Sequence, residues 1–162
     1  MAKEDRQTNN REKQQALIDR VFEAPIDLVF SMWTNPEYLA RWWGPKDNVN
    51  PVCEMDARPG GLIKILMRTR DGELIPVSGI FNEVRPPERL VFTTMREDKS
   101  GTARMEAVHT VTLKQENGKT RLIMLVEVTK PGPEFVSSCQ GMELGWGQSF
   151  DRMAAQMVLL IH

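Results

Sequence analysis

Cysteine and long apolar runs are scarce in this sequence, and each scarcity excludes a class of protein. The two cysteines, Cys53 and Cys139, lie far apart in unrelated contexts. Two scattered cysteines cannot form a disulfide framework or a zinc knuckle, so we expect buried thiols in a reducing compartment. No apolar run approaches the roughly 20 residues that cross a bilayer, and the polar N-terminus lacks the apolar core of a secretory signal. These absences predict a soluble, cytoplasmic protein without a membrane span.

An excess of charge of one sign is also missing. The chain has 21 basic and 22 acidic residues, a net charge of -1 and a sequence pI near 6.2. A nucleic-acid partner is not expected, because it would call for a basic face. With 162 residues, of which 41% are hydrophobic, the chain is long enough for one core. The polar residues 1–15 are expected to form a flexible arm, and residues 16–162 a single domain.

Motifs for metal or cofactor chemistry are missing as well. The only histidines are His109 and His162, and neither belongs to a zinc-ligand motif. No phosphate-binding loop or dinucleotide fingerprint is present, so we expect no metal and no cofactor. A Cys–His pair would require the fold to bring Cys53 or Cys139 to His109.

The order of predicted elements is a strand, two short helices, a run of strands and a long helix. The first strand starts at Leu17. Asn35 is a plausible cap between helices at residues 25–34 and 36–43. The predicted strands that follow are residues 62–68, 77–84, 90–95, 105–113 and 120–128. Tight turns at Asp71-Gly72 and Asn117-Gly118 predict an antiparallel meander and an α+β fold.

The register of the last hairpin can be worked out, because Asn-Gly favours a two-residue type I′ turn. That turn makes Glu116 and Lys119 cross-strand partners. Counting outward pairs Leu113 with Leu122, Val111 with Met124, His109 with Val126, and Ala107 with Val128. These pairs share the more apolar face, so His109 is predicted to point into the core.

The C-terminal segment from about residue 134 to 160 has the spacing of an amphipathic helix. Its apolar stripe comprises Cys139, Met142, Trp146, Phe150, Met153, Met157 and Leu160. Asp151 and Arg152 are expected on the opposite, solvent-facing side. Gly141, Gly145 and Gly147 would weaken the helix by about 1 kcal/mol each relative to alanine, or let a ligand approach the backbone closely.

This order of elements and several motifs resemble the START-like superfamily, also called SRPBCC or Bet v I-like helix-grip proteins. The closest likeness is to proteins related to the activator of the heat-shock protein ATPase. The matching segments are Val21 to Pro25, Val29-Phe30, Trp33, Trp42-Trp43-Gly44-Pro45, Gly79 to Thr93, His109 to Leu113, Gly118 to Leu122, Gly141 to Trp146 and Phe150 to Met153. The resemblance extends from about residue 17 to the end of the chain.

The resemblance implies a helix-grip fold, in which a curved antiparallel sheet of six or seven strands and a long C-terminal helix enclose a cavity. It also implies a link to the stress response. The eukaryotic chaperone activators carry a separate N-terminal domain, which the short arm cannot supply, so chaperone activation is not expected. The fold alone does not specify an activity.

Our leading hypothesis is a protein that binds a small apolar or amphipathic molecule without covalent chemistry. The candidate ligand-binding residues are Trp33, Trp42, Trp43, Met67, Phe92, His109, Val111, Met124, Met142, Trp146, Phe150 and Met153. One alternative is a cyclase- or hydrolase-like enzyme that uses His109 together with a pocket carboxylate or Tyr38 as acid and base. Another is an interaction module for a chaperone or regulator, and a homodimer is left open. The sequence leaves undecided which of Trp42 and Trp43 faces the cavity.

Overall fold

The described structure, a computed structural model, covers residues 15–97, 104–130 and 139–161. Ten helices and strands follow one another within these ranges. In chain order they are β1 (Gln15–Phe22), α1 (Ile26–Thr34), α2 (Pro36–Trp42), β2 (Val49–Met55), β3 (Leu62–Arg68), β4 (Leu74–Arg85), β5 (Arg89–Glu97), β6 (Arg104–Glu116), β7 (Lys119–Lys130) and α3 (Cys139–Ile161). The predicted arm, apart from Gln15, lies outside the described residues.

The strands form one antiparallel sheet in the order β1-β7-β6-β5-β4-β3-β2. The predicted hairpin register is confirmed, because Glu116 pairs with Lys119 and Val111 pairs with Met124. Asn117 and Gly118 have φ angles of 52° and 79°, as a type I′ turn requires. The sheet is curved, and with α3 it makes the α+β helix-grip fold that the sequence predicted.

The core lies between one face of the sheet and the three helices. Phe150 and Met153 of α3 are fully buried, while Leu160 near its end is 36% exposed. The two short helices are joined at Asn35, whose side chain accepts a hydrogen bond from the Glu37 amide at 3.0 Å. The predicted cap is therefore confirmed, and it satisfies one of the free amide groups at the start of α2.

Two features of the structure differ from the sequence prediction. Strand β2 was not among the predicted strands. It contains Pro51, which argues against a strand in the sequence. Here the strand lies at the edge of the sheet, where a missing amide donor is tolerated. Arg152 was predicted to face solvent on α3. Instead its guanidinium group contacts the loop that follows α2, because a long side chain can reach around the flank of a helix.

Candidate ligand-binding site

A cavity of about 220 Å³ lies between α3 and the neighbouring sheet strands. The α2–β2 loop, residues 43–48, forms one side of it. The lining residues are Trp43, Gly44, Pro45, Met67, Val77, Thr94, Arg96, Met105, His109, Met142, Gly145, Trp146 and Ser149. The lining is therefore mostly aromatic and thioether surface with a few polar groups.

Two tryptophans form the aromatic wall of the cavity. Trp146 of α3 and Trp43 of the α2–β2 loop meet edge to face, with ring centroids 5.4 Å apart. Trp146 is partly buried and also lies 5.5 Å from the His109 ring and 5.6 Å from Phe150. One of its sides belongs to the packed core and another lines the cavity, so a bound apolar molecule would contact it directly.

His109 on β6 is the buried titratable group of the cavity, with 4% of its surface exposed. The ring stacks on its cross-strand neighbour Phe92 at 4.5 Å, and its Nε2 lies 3.0 Å from the Thr94 hydroxyl. Its Nδ1 is buried and has no hydrogen-bond partner among the described residues. Burial lowers the pKa of His109 to about 3, so the imidazole is neutral at neutral pH.

Among the described residues, neither a carboxylate nor Tyr38 joins His109 in the lining of the cavity. Thr94 is the hydrogen-bond partner that the structure gives His109, and its hydroxyl does not titrate in the physiological range. Tyr38 is partly buried against the core and is not among the residues that line the cavity. Burial raises the pKa of the Cys53 thiol to about 11, opposite to an activated nucleophile. The side chain of Cys139 lies outside the described residues.

The α2–β2 loop is held in place by polar side chains that bond to its backbone. The Nδ2 atoms of Asn48 and Asn50 both donate to the Trp43 carbonyl, at 3.0 and 2.9 Å. Gly44 has a φ of +96°, and a Cβ atom there would lie 2.5 Å from Nδ2 of the Asn48 side chain. Glycine is therefore required at position 44 for the loop to close over the cavity.

Arg152 of α3 is the largest single contributor to this network. Its guanidinium group donates to the carbonyls of Trp43, Gly44 and Pro45 at 2.9–3.1 Å, and to those of Arg41 and Asn48 at 3.1 and 2.8 Å. Burial lowers the pKa of Arg152, and the nearby Asp47 partly offsets this effect. Backbone carbonyl oxygens thus take the place of the water molecules that would otherwise accept hydrogen bonds from this partly buried guanidinium group.

Five of the candidate residues named from the sequence line the cavity. These are Trp43, Met67, His109, Met142 and Trp146. The structure also answers which of the adjacent tryptophans faces the cavity. Trp43 lines it, whereas Trp42 is fully buried and donates from Nε1 to the Met32 carbonyl at 2.8 Å.

The other candidate residues belong to the packed core. Trp33 and Phe92 border a void of only about 10 Å³ beside the aromatic cluster. The remaining residues are at most 1% exposed and are not among those lining the cavity, namely Trp42, Val111, Met124, Phe150 and Met153.

Sequence reasoning missed several residues of the site. Thr94, Arg96 and Met105 lie on the same face as His109, and a register for the β5–β6 pair would have found them. Arg152 had no such signal, since its partners are backbone carbonyls at the end of α2 and in the loop that follows. Among the described residues, no group of three or more His, Cys, Asp or Glu side chains could hold a metal ion. Within the same residues, no helix is both long and apolar enough to cross a membrane.

The fold defines a class of protein, the helix-grip proteins, and the cavity lies between the sheet and the C-terminal helix. Within that class, the chain belongs to the family of activator of Hsp90 ATPase homolog 1-like proteins, whose family model matches residues 23–157. No curated protein matches the sequence.

Solved structures of bacterial proteins share this fold. A protein from Chromobacterium violaceum has 27% identity and a TM-score of 0.79, covering 88% of this chain and 96% of its own. A protein from Nitrosomonas europaea has 28% identity and a TM-score of 0.74, covering 88% and 93%. The AHSA1 protein of Silicibacter pomeroyi has 25% identity and a TM-score of 0.73, covering 90% and 98%.

Proposed function

We propose that this protein binds a small, mostly apolar molecule that carries one polar group, and that it sequesters or senses this molecule without covalent chemistry. The observation that supports the proposal best is the composition of the cavity wall. Aromatic and thioether groups surround a neutral His109–Thr94 pair. Ligand sites combine mostly apolar surface with a few polar groups that set orientation.

The size of the cavity limits the size of the molecule. Its volume of about 220 Å³ is below the roughly 300–1,000 Å³ of sites for drug-sized molecules. It exceeds the roughly 150 Å³ in which an apolar cavity holds benzene. We infer a ligand with one substituted ring or a branched chain of similar volume.

The His109–Thr94 pair favours a neutral hydrogen-bonding substituent such as a hydroxyl. The Thr94 hydroxyl can both donate and accept, and the neutral imidazole of His109 holds it from one side. Three methionines, Met67, Met105 and Met142, complete the wall. Thioether side chains adapt their shape, so related ligands with different ring substituents would be accepted.

The proposal is tested with 4-fluorophenol and fluorobenzene, which differ by one hydroxyl group. Titrations followed by ¹⁹F NMR give the affinity of each probe. The wild type is expected to bind both and to prefer 4-fluorophenol. Thr94→Val should reduce that preference about fivefold, since one hydrogen bond contributes roughly 1 kcal/mol. Fluorobenzene controls for changes in packing, and an unchanged preference would contradict the role of Thr94.

Trp146→Ala tests whether the tryptophan is a cavity wall. Because Trp146 is partly buried and lines the cavity, its loss should weaken 4-fluorophenol binding at least tenfold. It should cost less stability than Phe150→Ala, which removes a fully buried aromatic and should cost about 3–5 kcal/mol. Urea unfolding measures both variants. Equal stability losses, together with no probe binding by the wild type, would contradict the proposal.

One observation favours the interaction-module alternative. On the outer face of β2, β3 and β4 lies a groove of about 790 Å³, bordered by Val52, Leu62, Leu66, Pro76 and Met95. Leu62 is 70% exposed there, and exposed apolar patches commonly mark protein contacts. If neither fluorinated probe bound the wild type, the interaction module would become the better hypothesis for the function of this protein.

A further inference from the structure

The contacts of Arg152 are concentrated on one segment of the chain. All five carbonyl oxygens that its guanidinium group reaches belong to residues 41–48, at the end of α2 and in the α2–β2 loop. Three of those residues, Trp43, Gly44 and Pro45, also line the cavity. The side chain therefore connects the helix on one side of the cavity to the loop on the other.

We propose that Arg152 is a positioning residue that holds the α2–β2 loop against α3 and thereby controls how a ligand enters and leaves the cavity. This inference rests on the proposed binding function and assigns the loop as the moving part of the site. Opening the loop breaks the bonds to Arg152 and moves Trp43 away from Trp146. Closing it restores the aromatic wall.

Neighbouring residues on α3 support the assignment, because they bond to the same loop, each through fewer contacts than Arg152. The Ser149 hydroxyl donates to the Gly44 carbonyl at 2.9 Å, and the Gln148 side-chain oxygen accepts from the Lys46 amide at 3.3 Å. Ser149 also bonds to the Gly145 carbonyl within the helix, so it keeps a partner when the loop moves. One face of α3 is thus matched to the loop, with Arg152 as its main donor.

The chemistry of arginine suits this role better than that of lysine. A planar guanidinium group presents five N–H donors in a fixed arrangement, whereas an ammonium group has three donors on one atom. Here Nη1 shares its two hydrogens among three carbonyls and Nη2 donates to two more, and none of these acceptors carries a charge. Hydrogen bonds to neutral carbonyls can be exchanged for water when the loop opens, so these bonds stabilise the closed loop reversibly.

Arg20 provides a matched control on the opposite side of the same helix. It donates to the Gly147 carbonyl at 3.2 Å and forms an ion pair with Asp151. Like Arg152, it joins α3 to another element through a backbone carbonyl. However, neither Arg20 nor its partners line the cavity. Loss of Arg20 should loosen the attachment of α3 to β1 without opening the loop.

The test compares Arg152→Met, Arg152→Lys, Ser149→Ala and Arg20→Met in the full chain. The dissociation rate of 4-fluorophenol is measured by ¹⁹F exchange spectroscopy, and amide hydrogen exchange is followed in the loop and in β6. Arg152→Met should raise the dissociation rate at least tenfold and accelerate exchange of the Asn48 amide, which donates to the Pro45 carbonyl. Arg152→Lys and Ser149→Ala should raise the dissociation rate by less, and Arg20→Met should leave it unchanged.

The outcomes separate this inference from the proposed function. Failure of the wild type to bind 4-fluorophenol would remove the binding function, while loop exchange would still report on Arg152. Binding by the wild type with the same dissociation rate in Arg152→Met and Arg20→Met would overturn the positioning role. The positioning role would also be overturned if amide hydrogen exchange in Arg152→Met accelerated equally in the loop and in β6. Arg152 would then only stabilise the fold.

Discussion

At the scale of single residues, His109 makes the stability of this fold depend on pH. The folded state keeps the imidazole neutral, since burial lowers its pKa from 6.5 to about 3. An unfolded chain would protonate the same group near its ordinary pKa. Between these values the unfolded state binds more protons, so the contribution of His109 is fully present above pH 6.5 and is lost as the pH falls.

His109→Gln should remove this dependence while keeping a polar group beside Thr94. Lowering the pH from 7 to 5 should destabilise the wild type by about 2 kcal/mol more than the variant, at 1.36 kcal/mol per pKa unit. Urea unfolding at a series of pH values provides the comparison. Asp19 and Glu83, whose pKa values are lowered by Arg121 and Arg89, titrate in both proteins and cancel. Parallel pH profiles would show that His109 is not buried in its neutral form.

Residue-level patterns in the sequence identified the buried face better than the cavity. The inward direction of His109 followed from the hairpin register, and the structure confirms it. Periodicity cannot tell a residue that fills the core from one that borders a cavity, and for this reason Val111 and Met153 stood beside Trp146 as candidates. Arg152 was missed because a hydrogen bond to a backbone carbonyl leaves no trace in the side-chain pattern.

At the scale of secondary-structure elements, α3 contains glycines that the surroundings do not require. Ideal Cβ atoms at Gly145 and Gly147 would meet no heavy atom within 4 Å, outside the backbone of their own helix turn. Gly145 borders the cavity, whereas Gly147 does not. An interior glycine weakens a helix by up to about 1 kcal/mol relative to alanine.

Gly147→Ala should therefore stabilise the protein by about 0.5–1 kcal/mol without changing the affinity for 4-fluorophenol. Gly44→Ala should destabilise it, because position 44 has a φ of +96° and its new Cβ would clash with Asn48. Thermal unfolding ranks both variants against the wild type. A loss of stability in Gly147→Ala would mean that α3 needs the glycine for a reason absent from its described contacts.

Elements with strong local signals were predicted well, and an element defined by its neighbours was not. Asn117-Gly118 determined a register because its turn geometry leaves one choice. Strand β2 has Asn50, Pro51 and Glu54 in its sequence, so it lacks a clear alternation of apolar residues. It forms because β3 offers it an edge to pair with, which is information from tertiary structure.

At the scale of the whole molecule, the domain boundary near residue 16 remains a prediction from composition. Residues 1–14 are polar and offer little apolar area to bury, while Gln15 pairs with Glu127 in the sheet. A chain that starts at Gln15 should melt within about 2 °C of the full chain, which corresponds to less than roughly 1 kcal/mol for a protein of this size. Calorimetry measures the melting temperature of both forms. A decrease of many degrees in the shorter chain would mean that residues 1–14 pack against the domain and stabilise it.

At this scale we propose that the cavity between α3 and the sheet, rather than the outer groove of β2–β4, receives a small molecule. Crystals soaked with 4-bromophenol test this directly, because anomalous scattering locates the bromine atom. Bromine is expected between Trp43, Trp146 and Met105, with the hydroxyl near Thr94. Bromine found only in the outer groove, or no bound probe at a saturating concentration, would contradict it.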